Sequence, residues 1–341
     1  CMECPWHREL DHPQELVNTG MHVIPDEDLN DPRVFVPNVE FYITNVCNLA
    51  CTDCNRFNNH NFRGWQDWHD YAEQYQQWAK YIKLQRITIL GGEPLLNPTI
   101  CDWIDGINQL WGKTVQVLTN GTRLNHVPNL YDRMIKFRDP IRFWKKNWIG
   151  VSLHNENDRQ RCFDEIHKFL RGTITYHAKT DPSNGDNGTV TYGADHAFVD
   201  SNGMRVHVWE YDSFYKAAIQ RNTEGRFGVW DNDPAEAHRH CGFVQYKCYH
   251  FIQAKLYKCG PVALFPEFDQ QHHLNISDQD RELINSYQPL SADQFEQRGK
   301  SFLDHIDDVI PQCKFCPTKE QFAGKKLFAV SKKLNSISGF D

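Results

Sequence analysis

The chain has 341 residues, of which 40% are hydrophobic and 24% charged, a balance that excludes intrinsic disorder and allows one large domain plus a smaller one. With 37 basic residues against 44 acidic the net charge is −7, which makes nucleic acid a poor match as a partner. No apolar run approaches the roughly 18 residues of a membrane helix, and Cys1-Met2-Glu3-Cys4-Pro5-Trp6 is not the start of a signal peptide, so the expected compartment is the cytoplasm, with no membrane partner.

Residues 1–34, punctuated by Pro5, Pro13, Pro25 and Pro32, read as an extension lying on the domain. Residues 34–44 (VFVPNVEFYIT) are rich in β-branched and aromatic side chains and predict a strand. Apolar residues at Trp65, Trp68, Tyr71, Ala72, Tyr75, Trp78, Ala79 and Ile82 have helical spacing with one buried stripe. Residues 86–90 (RITIL) predict a buried strand ending in Gly-Gly, 99–111 a helix, and 114–118 a strand closed by Thr119-Asn120-Gly121. Residues 148–153 predict a strand, 158–171 a helix and 172–177 another strand. The stretch 181–203, rich in Gly, Asn, Asp and Ser, predicts a long loop or hairpin pair, and 204–209 the last strand of the main domain. Strands alternating with helices imply βαβ units and a parallel sheet, whose active site lies at the C-terminal strand ends. From about residue 231 the pattern becomes irregular and cysteine-bearing, which predicts a second domain.

The twelve cysteines fall into groups. Without a secretory signal, close groups point to metal sites rather than disulfides. Cys47, Cys51 and Cys54 place three thiols within eight residues, directly after a predicted strand. Thiolates are soft ligands suited to iron–sulfur clusters, zinc or Cu(I). Three ligands on a four-iron cluster leave one iron open for chemistry. Spacing alone leaves zinc open too, as a knuckle completed by His60 or His69. Gly91-Gly92-Glu93 follows the next strand, where glycines allow close backbone approach and a carboxylate can receive an ammonium group. Cys313-Lys314-Phe315-Cys316 can present two thiols to one metal, and Cys248 and Cys259 bracket a predicted hairpin. Cys241 is a spare thiol, readable as an alternative ligand or as a buried thiol. Cys1 and Cys4, with His7, make at most half a metal site, and Cys101 and Cys162 read as buried small hydrophobes. Lys325, Lys326, Lys332 and Lys333 read as a solvated helix face in the tail. Ten tryptophans and seventeen histidines exceed ordinary usage.

The C-x3-C-x2-C loop after a strand, followed one βα unit later by Gly91-Gly92-Glu93, resembles the signature of the radical S-adenosylmethionine (SAM) superfamily. The resemblance covers about residues 35–230 and implies an α/β fold, a partial (β/α)6 TIM-like barrel open on one side for substrate. It implies a [4Fe-4S] cluster on Cys47, Cys51 and Cys54 whose free iron chelates the amino and carboxylate groups of SAM. Gly91, Gly92 and Glu93 would hold the SAM amino group, with Asn120 and Ser152 as further SAM contacts and His154 facing substrate. The family usually has an aromatic residue before the third cysteine; here it is Asp53, so no adenine contact is carried to that position.

The second cysteine set resembles the auxiliary-cluster domains of the same superfamily, the twitch type and its longer SPASM relative. That resemblance implies a second [4Fe-4S] cluster on Cys248, Cys259, Cys313 and Cys316, although Ala254 stands where the pattern has glycine and no cysteine follows Cys316. Four cysteines suit tetrahedral zinc equally well. The expected organisation is an extension (1–34), the barrel (35–230), a small cysteine-rich auxiliary domain (231–320) and a tail (321–341). The expected function is reductive cleavage of SAM to a 5′-deoxyadenosyl radical, which abstracts hydrogen from a small-molecule or carbohydrate-like substrate in an oxidation or rearrangement. A flavodoxin or ferredoxin would donate the electron. A peptide substrate is the alternative, and a zinc-braced binding protein is the alternative of another class.

Overall fold

A computed structural model describes residues 31–139, 145–154, 156–178, 194–211, 217–322 and 329–331. The strands in chain order are β1 (Val34–Tyr42), β2 (Leu49–Cys51), β3 (Ile82–Leu90), β4 (Val115–Thr119), β5 (Trp148–Leu153), β6 (Ile174–Ala178), β7 (His196–Asp200), β8 (Arg205–Glu210), β9 (Ile219–Arg221), β10 (Phe227–Val229), β11 (Cys248–Ile252), β12 (Lys255–Tyr257) and β13 (Ala329–Ser331). Nine of them form one sheet in the order β12-β11-β1-β3-β4-β5-β8-β7-β6. The run β11-β1-β3-β4-β5-β8 is parallel throughout. The fold is therefore mixed α/β with a large, mostly parallel sheet, as a radical SAM partial barrel requires.

The helices that cross over between the parallel strands bury one stripe each, as their apolar spacing dictates. Asp67 caps the helix Trp68–Tyr81 by accepting the His69 N–H, and the chain turns straight into β3 at Ile82. Helix Ile100–Trp111 ends at Gly112, whose φ of 61° is one that glycine adopts without strain. These two helices lay Trp68, Tyr75, Trp78, Trp103 and Trp111 over Phe41 and Phe251 of the sheet; the Phe41 and Phe251 ring centroids are 5.1 Å apart and Trp78 lies 5.1 Å from Phe251. Much of the tryptophan excess is thus core. Gly106 lies under Trp68, where any Cβ would meet the indole at 2.0 Å.

Three expectations change. The strand predicted over 172–177 forms as β6, but it pairs antiparallel with β7, which pairs antiparallel with β8. The reason is a tight reversal after β7: the Asp200 carboxylate accepts the Asn202 and Met204 N–H groups, with Gly203 at φ 79°. Beyond residue 231, where a second domain is expected, β11 joins the main sheet, with Cys248 registered against Asn38 and Phe251 against Phe41 of β1. In the tail, Ala329–Ser331 pairs with β2 as a strand rather than a helix face; the four lysines of that tail lie outside the described residues, as do Cys1, Cys4 and His7. No helix among the described residues is long and apolar enough to cross a membrane.

Candidate active site

The cysteine loop leaves β1 through Thr44-Asn45-Val46 and is stitched to the end of β3. Ile43 N–H donates to the Leu90 carbonyl at 2.9 Å, Gly92 N–H to Thr44 at 2.7 Å and Glu93 N–H to Val46 at 2.8 Å. This contact explains both glycines. A Cβ on Gly91 would sit 2.5 Å from the Thr44 carbonyl oxygen, and one on Gly92 would sit 2.4 Å from the Val46 oxygen and 2.9 Å from Cys47 Cβ. The backbone that approaches closely here is the chain's own, at the residue before Cys47.

Within the loop Asp53 and Phe57 adopt left-handed φ values of 58° and 64°, turning the chain sharply around Cys54. Asn58 holds that turn from below, its Nδ2 donating to the Asn45 carbonyl at 2.6 Å and to the Tyr42 hydroxyl at 3.0 Å. Asn48 ties the loop to the end of β4: its Nδ2 donates to Thr122 Oγ1 at 2.9 Å, and its Oδ1 accepts from Asn120 Nδ2 at 2.8 Å.

The result is one cavity of about 690 Å³, counting space open to solvent. Cys47, Cys51 and Cys54 line it together with Gly91, Gly92, Asn120 and Ser152, and Leu90 and Leu118 form an apolar part of its wall. His154 also lines it; the protein packed around this imidazole pushes its pKa down to about 4, so it is neutral at pH 7. None of the three cysteines is in a disulfide. The donor set is soft, and the cavity lies at the C-terminal ends of parallel strands.

Glu93 is placed differently from a ligand-facing carboxylate. It is fully buried, and its oxygens accept from Leu95 N–H at 3.0 Å, Thr119 Oγ1 at 2.7 Å and Asn120 N–H at 2.8 Å. Burial raises its pKa, against the pull of these hydrogen bonds. Its partners are the protein's own, and the cavity wall here is glycine backbone. His60 packs against Phe227 and Phe268, and His69 faces Asp102 at 3.5 Å, so neither completes a site with the loop thiols.

Cys241, Cys259, Cys313 and Cys316 act on one another's acidity. Burial pushes the Cys259 thiol up to about 12, reinforced by Cys241 and Cys313. Cys316 is raised well above its ordinary value by burial and by Cys259, Cys241 and Cys313, and Cys313 by burial and Cys241. Cys241 and Cys259 each sit just before a helix, with backbone N–H groups of Phe243, Val244 and Val262 directed at them. The Lys258 ammonium, buried and donating to the Ile306 carbonyl at 2.7 Å, opposes the rise at Cys241, Cys259 and Cys313. Cys248 is in a disulfide, and its Sγ accepts from Asn38 Nδ2 at 2.9 Å inside the sheet. Among the described residues, no group of three or more His, Cys, Asp or Glu is drawn together as for a single metal ion. Cys162 is buried at the Gly121 turn and Cys101 is half-buried.

Fold and cavity together define an α/β enzyme domain with a thiol-rich site at its strand ends. The family model of the Radical SAM superfamily matches residues 41–179, a span holding all three loop cysteines, Gly91-Gly92-Glu93, Asn120 and Ser152. Residues 41–179 are thus a radical SAM superfamily domain, a family that implies a [4Fe-4S] cluster and SAM. No curated protein matches the chain.

Proposed function

We propose that the cavity binds a [4Fe-4S] cluster on Cys47, Cys51 and Cys54 with SAM beside it, and that the enzyme oxidises or rearranges a small-molecule or carbohydrate-like substrate. The observation that carries this is the convergence of three cysteine thiols, the Gly91-Gly92 backbone, Asn120 and Ser152 on one cavity. A cluster held by Cys47, Cys51 and Cys54 would supply the electron that cleaves SAM to methionine and a 5′-deoxyadenosyl radical, which would take a hydrogen atom from substrate to give 5′-deoxyadenosine. The electron comes from a flavodoxin- or ferredoxin-type donor.

The chain's own residues do the rest. Gly91 and Gly92 present a bare backbone to the SAM amino group, with Glu93 bracing that wall from behind rather than touching SAM. Asn120 and Ser152 take the remaining polar groups of SAM. Leu90 and Leu118 exclude water near the radical. Cys241, Cys259, Cys313 and Cys316 hold a second four-iron cluster, supported by their mutual effect on one another's acidity. Directed N–H groups and the nearby Lys258 suit a cluster carrying four thiolates.

Anaerobic reconstitution tests the reading. About eight irons and eight sulfides per chain, with 5′-deoxyadenosine formed from SAM under dithionite, are expected. Cys47→Ala should abolish that product. Zinc at both sites with no iron uptake would replace the enzyme with a zinc-braced binding protein.

A further inference from the structure

Arg56 lies two residues beyond Cys54 and lines the thiol cavity, where it is the only Lys or Arg among the described residues. It is more than nine-tenths buried. Its Nη2 donates to Glu40 Oε2 at 2.6 Å, and the same oxygen lies 2.7 Å from His250 Nε2. Its Nε and Nη1 are sealed from water with no hydrogen-bond partner. Guanidinium carries one N–H on Nε and two on Nη1, so three donor bonds point at no acceptor. Buried donors in folded proteins are otherwise nearly all paired.

The surroundings hold this group in place. Phe243 faces the guanidinium, with Arg56 Cζ 5.0 Å from the ring centroid. Gly260 makes room on another side; a Cβ there would lie 3.4 Å from Arg56 Cζ and 3.0 Å from His250 Nε2. Phe243 follows Cys241 by two residues and Gly260 follows Cys259 by one. Arg56, itself two residues from Cys54, is therefore braced by residues next to Cys241 and Cys259.

We propose that Arg56 is a substrate-binding residue, taking a carboxylate or phosphate oxyanion of the substrate at the wall of the thiol-lined cavity. This rests on the reading of that cavity as the SAM-cleaving site and names the substrate class as an anion. Guanidinium donors match the geometry of either oxyanion. Phe243, Glu40 and Gly260 fix the side chain beforehand, so its free donors are ordered before the anion arrives.

The test uses dithionite-reduced holoenzyme and two probes, inorganic phosphate followed by ³¹P relaxation and acetate followed by ¹³C relaxation. Saturable paramagnetic broadening of at least one probe is expected in the wild type, weakened about 10-fold or more in Arg56→Gln and less in Arg56→Lys. Iron, sulfide and SAM-dependent 5′-deoxyadenosine are measured on the same samples. A wild type that takes up no iron sinks the SAM-cleaving reading itself. Intact clusters with both probes silent, or with broadening unchanged in Arg56→Gln, overturn the Arg56 proposal alone. So does displacement of both probes by SAM with weakened SAM binding in Arg56→Gln, since the anion would then be SAM's own carboxylate. Should Arg56→Gln fail to load iron, unchanged probe binding in a loaded Arg56→Lys overturns the proposal equally.

Discussion

The backbone N–H of Asn120 donates to Glu93 Oε2 at 2.8 Å, so the loop after β3 and the end of β4 share one buried carboxylate. The other oxygen of Glu93 accepts from Thr119 and Leu95. Two walls of the cavity are thereby locked to each other behind the surface that a ligand would touch.

Glu93→Gln replaces one accepting oxygen with a donating amide, which faces an N–H or O–H donor whichever way it turns. The expected loss is about 1–3 kcal/mol of stability, read from chemical denaturation, because a buried donor is left unpaired. SAM affinity should fall with it, through displacement of Asn120. An unchanged midpoint would show that the carboxylate does not brace these walls.

Gly92→Ala places a Cβ against Val46 and Cys47. The loop must shift, since the nearest atom is backbone. Iron at the first site should drop substantially while the second site keeps its iron. Full loading at both sites would mean that the β3 end and the cysteine loop are not in contact as described.

The second thiol set separates two cysteines that sequence spacing pairs equally well. Cys259→Ser should remove about four irons per chain, and Cys241→Ser should do the same. Cys248→Ser should leave the iron content unchanged. Iron lost in Cys248→Ser but retained in Cys241→Ser would restore the pairing expected from the resemblance.

His207 is buried on β8, and neither ring nitrogen has a hydrogen-bond partner. Burial, reinforced by the charge of Arg205, depresses its pKa to about 4 from an ordinary 6.5. The sign follows from that depression: between those values the unfolded chain takes up a proton that the folded chain refuses. Stability is therefore complete above pH 6.5 and falls as the pH drops toward 4. The contribution is about 2 kcal/mol between pH 7 and pH 5. His207→Asn should flatten that part of the pH dependence in denaturation midpoints, and an equal slope in the variant would assign it elsewhere.

Local pattern alone determined much of this protein. Apolar spacing marked the helices that carry Trp78 and Trp103, and β-branched runs marked β1, β3, β4 and β5. The tight intervals of Cys47, Cys51, Cys54 and of Gly91-Gly92-Glu93 marked the cavity, because each lies within one turn after one strand. Tertiary structure decided what depends on distant partners. Asn38 pairs with Cys248 across 210 residues, which draws β11 into the main sheet. The carboxylate of Glu93 faces inward because Thr119 and Asn120 arrive from the next strand. Arg56, which carried no motif in the sequence, acquired its place only when Glu40, Phe243 and Gly260 closed around it. Spacing encodes what one turn can present, whereas which turns meet is set by sheet register and by the burial that register imposes.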